Sequence, residues 1–264
     1  MVQCAQFARS AALVALAAAA ISCRSINAPA GVGRDMATSI SADTLLVAGL
    51  NLDDLRASPL YPKLPPAAPA LAEPLRDTGY LLLASNGKDI VAIAHGRFRE
   101  APPGAALAAP GLAVSGSPDS VRAAIAQHKT GRSGAPDLLA RAASLAEGKQ
   151  IWMVVRGGVP LPVAGNAANL NRLLRNTEYA AIAARIGSGI EIEATAVGRT
   201  AEAGREFEEN LRAILSLTAA ANARQPDLVA LIHSIQIRRE DRTVRAVLSG
   251  GPDAADQLLR LVAR

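Results

Sequence analysis

Three stretches of the chain are rich in apolar residues and carry the pattern of strand pairs, and a turn signal divides each stretch. In the first, Gly79-Tyr-Leu-Leu-Leu-Ala-Ser85 and Lys88-Asp-Ile-Val-Ala-Ile-Ala94 flank Asn86-Gly87. Asn-Gly is the strongest short hairpin signal, because a type I′ turn needs positive φ at both central residues. That register sets Leu83 opposite Ile90 and Leu82 opposite Val91. Both faces are then apolar, so this hairpin is expected inside a sheet rather than at its rim.

In the second stretch, 178–186 and 190–197 flank Gly187-Ser188-Gly189. A three-residue loop pairs Ile186 with Ile190, Ala184 with Ile192 and Ile182 with Ala194 on one face. The other face pairs Arg185 with Glu191 and Ala183 with Glu193. A slip of one residue would mix the faces, which selects this register. In the third stretch, Ile235 and Ile237 oppose Ala246 and Val244 across a turn at Glu240-Asp241. Its other face, with Gln236, Arg238, Thr243 and Arg245, is expected to be wet.

Helical patterns follow strands. Val114-Ser-Gly-Ser-Pro-Asp119 leads into an amphipathic run ending near Lys129, and Leu248-Ser-Gly-Gly-Pro-Asp253 into one ending near Ala263. Pro in the first turn with Asp beside it suits a helix start. The elements before each copy correspond as strand, short helix and hairpin: 44–52, 53–60 and 79–98, then 151–156, 169–175 and 178–198. Further helices are expected over 201–219 and 227–233. The fold class expected is therefore α+β, two related halves of antiparallel hairpins with helices packed on the sheet. The halves are read as 41–148 and 149–264, meeting near 136–150. Whether they share a sheet stays open. Proline-rich 59–74 and 102–110 read as connectors.

The N-terminus follows another pattern. Arg9 precedes the apolar run Ala11–Ile21, whose 11 residues are too few to span a bilayer. Residues 1–22 are read as an export signal. The run ends in Ala20-Ile21-Ser22-Cys23, which resembles the lipobox of bacterial lipoproteins, with alanine in place of the usual leucine. That resemblance implies cleavage before Cys23 and its acylation with palmitate-type chains; Arg24, where aspartate would signal inner-membrane retention, points to the outer membrane. Both cysteines of the chain, Cys4 and Cys23, fall in this segment. Cleavage at Ala28-Pro29-Ala30, which would release a soluble secreted protein, stays open, as does no cleavage. Residues 23–40 are read as the lipidated cysteine with a flexible tether, a coil of about 20–25 Å.

Taken with Ala42-Asp-Thr-Leu-Leu-Val-Ala-Gly-Leu-Asn-Leu52, Leu55-Arg-Ala-Ser-Pro59 and the Ser117-Pro-Asp-Ser-Val-Arg122 turn, the chain resembles predicted lipoproteins of GC-rich environmental bacteria such as acidobacteria. No activity is attached to that family, so the resemblance implies a location and a fold and no mechanism.

Composition narrows the chemistry. The 264 residues are 50% hydrophobic and 3% aromatic, with 28 basic against 23 acidic side chains. His95, His128 and His233 lie far apart without metal-ligand spacing, and no cysteine follows position 23. Ser115 and Ser249 sit in strand-to-helix turns that lack the flanking glycines of a nucleophile elbow. Gly31-Val-Gly33 and Gly157-Gly158 lack the rest of a phosphate loop. Acid pairs at Asp53-Asp54, Glu191/Glu193 and Glu208-Glu209 suit a helix start, a wet strand face and an exposed helix face.

The pI of 9.7 invites nucleic acid, but Arg238, Arg239, Arg242 and Arg245 cluster without aromatics on an exported chain. No nucleic-acid partner is expected, and an anionic membrane surface is the candidate use of those arginines. The apolar loop Gly157, Gly158, Val159, Pro160, Leu161 is a candidate partner contact. The expectation is a non-catalytic envelope protein, bound to the membrane through Cys23 and scaffolding or binding an envelope protein, with no cofactor and no metal. Two alternatives are carried: a periplasmic binder of a small apolar or lipid ligand between the halves, and a hydrolase joining His95 or His233 to Asp43 or Ser115.

Overall fold

The computed structural model describes residues 28–64, 75–158, 171 and 173–262. The described chain forms one ten-stranded antiparallel sheet with seven α-helices on its two faces. The strands are β1 (Leu46–Asn51), β2 (Thr78–Ser85), β3 (Ile90–Gly96), β4 (Ala105–Ala109), β5 (Leu112–Ser115), β6 (Ile151–Arg156), β7 (Thr177–Ile186), β8 (Ile190–Gly198), β9 (Gln236–Glu240) and β10 (Thr243–Gly250). Their order across the sheet is β4-β5-β3-β2-β1-β6-β7-β8-β10-β9. Outward from the central β1–β6 pair, both directions take the same steps: one strand, a second, then a hairpin entered by its later strand. The helices are α1 (Arg34–Thr38), α2 (Leu52–Arg56), α3 (Pro118–Lys129), α4 (Pro136–Leu145), α5 (Ala201–Ala221), α6 (Pro226–His233) and α7 (Pro252–Val262).

The β7–β8 hairpin has the expected register, Ile186 with Ile190 through Ile182 with Ala194. The other two slide by two residues. In β2–β3, Leu83 faces Ala92 and Ile90 faces Ser85, because the turn is four residues long. Asn86 Oδ1 accepts from the amides of Lys88 and Asp89 at 3.0 and 2.9 Å, and only Gly87 takes positive φ, +88°. In β9–β10, Glu240 pairs with Thr243, so Ile237 faces Ala246. A shift of two keeps every side chain on its face, since the strand period is two.

Three elements depart from the expectations. Residues 34–38, read as tether, form α1, whose Met36 and Ala37 are buried together with Ile40 just beyond its end. Ala28 and Val32 also pack against that core. The span near 136–150, read as a junction, holds α4, whose Leu138, Leu139, Ala142 and Leu145 are buried on β6 and β7. The proline-rich connector 102–110 contributes β4, and Pro110-Gly111, a type II turn signal, joins it to β5.

The first face of the sheet carries the main core. Trp152, Val154, Val47, Leu82 and Ile93 meet α1, α3 and α4 there. Trp152 is 1% exposed, and its Nε1–H donates to the Tyr80 hydroxyl at 2.7 Å. Gly49 leaves room for the indole, since a Cβ at that position would lie 2.3 Å from the ring. Beyond β7 no helix among the described residues covers this face, and its side chains become mostly polar: Glu191, Glu193, Thr195, Arg245 and Arg238.

The second face is built differently. α2 and α7 pack at one end of the strands, with Leu52, Leu55, Ile186, Ile190 and Ala255 as a smaller core. α5 lies over β8, β9 and β10. Between β3 and β10 three rows of side chains cross this face in register. The middle row runs Ala92, Leu83, Ala48, Met153, Ile182, Ala194, Ala246. In all three rows the one polar side chain is Ser85.

Candidate binding site

Aliphatic floor and helical roof meet under α5. Phe207 and Leu211 on α5 stand over Met153, Val155, Ile182 and Ala246, around a cavity of about 340 Å³ lined almost entirely by apolar side chains. Alanine fills the strand positions beneath the helix (Ala180, Ala194, Ala196, Ala246), and these short side chains leave the space. Leu173 and Leu174 close one wall. The volume falls in the range of small-ligand pockets. A depression of about 480 Å³ at Gly187–Gly189 and Ser249–Gly251 is larger but open and polar, formed by turns rather than by a built pocket.

The cavity is lined by side chains from β6, β7, β8, β10, α5 and residues 173–174. At the sheet centre, β1 and β6 form a closed strand ladder, paired from Leu46–Val155 to Leu50–Ile151. Toward β2 and β3 the floor continues, and among the described residues no helix lies above it beyond α2 at the strand end. Leu83, Ile151 and Ile182 are 37%, 36% and 37% exposed there, and Ile90 is 60% exposed.

Residues singled out in the sequence lie elsewhere. Cys23 and the loop residues Val159, Pro160 and Leu161 lie outside the described residues. Gly157 and Gly158 finish the β6 strand end, their amides donating to the carbonyls of Glu178 and Leu174, both at 2.9 Å. The four arginines divide between the faces, and three are paired. Arg239 binds Glu208 of α5 at 3.0 Å, Arg242 binds Glu178 at 2.8 Å and Arg245 binds Glu193 at 3.1 Å. Arg238, opposite Arg245 on the polar face, has no ion-pair partner among the described residues.

The candidate hydrolytic residues are not brought together. The Ser115 hydroxyl donates to the Gly104 carbonyl at 2.9 Å, and the Asp43 carboxylate accepts from Asn86 at 2.8 Å. His128 Nδ1 lies 3.0 Å from the Thr38 hydroxyl at the end of α1, while His95 and His233 are exposed. Among the described residues no three His, Cys, Asp or Glu side chains gather in metal-binding geometry.

Charge is organised around the polar face. Glu193 accepts from Lys149 at 3.2 Å as well as from Arg245, and Glu191 pairs with Arg185 at 2.6 Å. The Arg185 hydrogen bond holds the Glu191 carboxyl below its usual range. Glu178, bonded by Arg141 and then Arg242, is held low in the same way, and Arg141 also stacks on Tyr179, 4.0 Å from the ring centroid. Burial pushes the Tyr80 phenol up to about 12, against the opposing hydrogen bond from Trp152.

The floor residues Met153, Ile182, Ala194 and Leu83 had no motif to mark them. Leu83 had only a hairpin apolar on both faces as its signal, and Ile182 and Ala194 only the aliphatic face of theirs; such patterns predict burial and do not say what covers the face.

No protein-family model matches the chain, and no curated relative matches it. Among solved structures, the chain is similar to crystal form I of TP0453, at 10% sequence identity over 86% of this chain and 96% of that one, with a TM-score of 0.44.

Proposed function

We propose that this chain is an exported, lipid-anchored envelope protein that holds an apolar ligand and performs no chemistry on it. The observation that carries the reading is the apolar cavity under α5, built from Met153, Ile182, Ala194, Ala246, Phe207 and Leu211. Apolar pockets with few polar groups bind by desolvation. The polar groups near this one, such as Glu208 with Arg212 and Arg239, are engaged in ion pairs outside it. Lipidation at Cys23 supplies the anchor in this reading, with the outer membrane as its location. Secretion after cleavage at Ala30 is the alternative. Two related halves, duplicated and joined through β1 and β6, account for the matching strand order on either side of that pair.

Among the described residues, no helix is long and apolar enough to cross a membrane. A second reading, scaffolding of an envelope protein, is favoured by β4, an outermost strand of Ala-Ala-Leu-Ala-Ala without the charges that usually guard a sheet edge.

Two measurements test the proposal. Intact mass of the membrane-fraction protein is expected to start at Cys23 plus acyl chains, and a Cys23→Ala variant is expected to lose them; a start at Gly31 without lipid overturns the anchor. The processed chain is then titrated with the apolar fluorophore N-phenyl-1-naphthylamine. Saturable binding is expected, weakened at least about tenfold in Ala246→Phe, whose ring would occupy the space. Unchanged binding in a folded Ala246→Phe protein would overturn the cavity as the site.

A further inference from the structure

We infer that the ligand is a single long acyl chain of a membrane lipid, lying across the strands from the cavity under α5 to the exposed Leu83 on β2. This deepens the proposed binding function and rests on it.

The two uncovered regions of the sheet carry the inference. A sheet face left to water becomes polar, with hydrophobic residues turned inward. The first face obeys this beyond β7, where Glu191, Glu193, Thr195, Arg238 and Arg245 replace the core residues. The second face does not. Where no described helix covers it, Leu83, Ile90, Ile151 and Ile182 remain, between 36% and 60% exposed. An uncovered aliphatic surface rimmed by polar residues marks a binding face.

The shape of that surface selects the ligand. The middle row runs unbroken from Ala246 on β10 to Leu83 on β2, five strand spacings apart. At about 4.8 Å per spacing the floor is about 24 Å long. A fluid leaflet gives its disordered acyl chains about 15 Å, and the same chain drawn out straight is longer, which is what reaching Leu83 from under α5 requires. Along one side α2 and α7 form a wall, and α5 roofs the far end. The floor is therefore a long strip closed at one end, which suits an extended chain better than a compact ring system. No charged side chain interrupts the rows, so the ligand's polar head belongs at the open end near β2 and β3, in water.

The test uses the processed full chain and two probes, octanoate and hexadecanoate. Octanoate fits the roofed end alone, whereas hexadecanoate extends along the floor. Hexadecanoate is expected to bind at least about 100-fold more tightly, since each further buried methylene adds apolar contact. Leu83→Asp is expected to remove most of that advantage, weakening hexadecanoate at least about tenfold and leaving octanoate within about twofold. Leu83→Met, which keeps the floor apolar, is expected to retain it.

Equal affinities for the two probes, with N-phenyl-1-naphthylamine still bound, would overturn the extended chain and leave the cavity function standing. Loss of all three probes would overturn both. Two results would assign the floor to another occupant and overturn the inference. One is a dimer in light scattering that Leu83→Asp dissociates. The other is a crosslink from Leu83 to the chain's own residues 159–170 in the ligand-free protein.

Discussion

Trp152 and Met153 are neighbours on β6, yet they lie in different environments. The indole is enclosed by Tyr80, Gly49 and the α1–α3–α4 layer, whereas the methionine lies on a floor that helices cover only in part. The same alternation of aliphatic residues thus builds a closed core on one face of the central strands and an unfilled surface on the other. What separates the two is the layer above them. One face has three helices whose side chains fill the gaps, and the other has a wall at one end and a roof at one side. The comparison teaches that apolar character of a strand face shows where burial is favourable and leaves open whether the protein itself supplies the cover.

Four variants break or sharpen this contrast. The largest effect belongs to Trp152→Ala, which empties the centre of the closed face and is expected to cost about 3–5 kcal/mol in denaturant unfolding. A loss under about 1 kcal/mol would mean the closed face is not a packed core. Tyr80→Phe comes next. It leaves the buried Trp152 N–H without its acceptor, at a cost of about 1–3 kcal/mol.

The same phenol sets an alkaline limit. Its pKa is raised to about 12 by burial, so the folded state favours the neutral form more than the unfolded state does. Its contribution is fully present below the unfolded value of about 10 and is lost as pH rises toward 12. Urea midpoints between pH 9 and 12 are expected to fall more steeply in wild type than in Tyr80→Phe.

Glu178, at the rim of the closed face, gives a smaller effect of opposite sign. Hydrogen bonds from Arg141 and Arg242 hold its carboxyl low, so its contribution is present above the unfolded value of about 4.3 and is lost as pH falls through the lower folded value. The side chain is 38% exposed, and such pairs are worth under about 1 kcal/mol after screening by solvent. Glu178→Gln is expected to flatten the acid limb of stability between pH 5 and 3, without moving the neutral plateau by more than that. An unchanged acid limb would remove the clamp from the account.

The smallest effect is expected on the open face. Ile90→Ser is predicted to change stability by less than about 0.5 kcal/mol, because the side chain is 60% exposed. A loss above about 2 kcal/mol would show this face to be as enclosed as its opposite, and the contrast would collapse.

Much of the strand architecture was legible in the sequence, and particular residues show where it stopped. The β7–β8 register followed from Gly187-Ser188-Gly189 and the Glu191/Glu193 alternation. The β2–β3 and β9–β10 registers were displaced by two, because turn length is set by details such as the Asn86 side chain bonding its own backbone. Faces survived that error and pair partners did not. Strand β4 was missed in a run read as a connector and helix α4 in one read as the junction of two halves, since short segments rich in alanine and proline carry little periodicity. The site was the least legible part. Its floor is composed of Ala, Leu, Ile and Met, the residue types of any core, and Arg238–Arg245, the cluster that drew attention by charge, proved to be mostly paired.

By itself the sequence determined which side of the sheet each strand residue occupies, because a period of two is a local property of the backbone. It also determined where helices start, through Pro and Asp in the first turn of α3 and α7. Only the tertiary structure decided that β1 and β6, about a hundred residues apart, zip the strands into one sheet, and that α1, α3 and α4 cover one face while the other keeps an aliphatic strip that no described helix covers. Strand pairing between distant segments and the seating of helices depend on the summed packing of the whole chain, which no local pattern encodes.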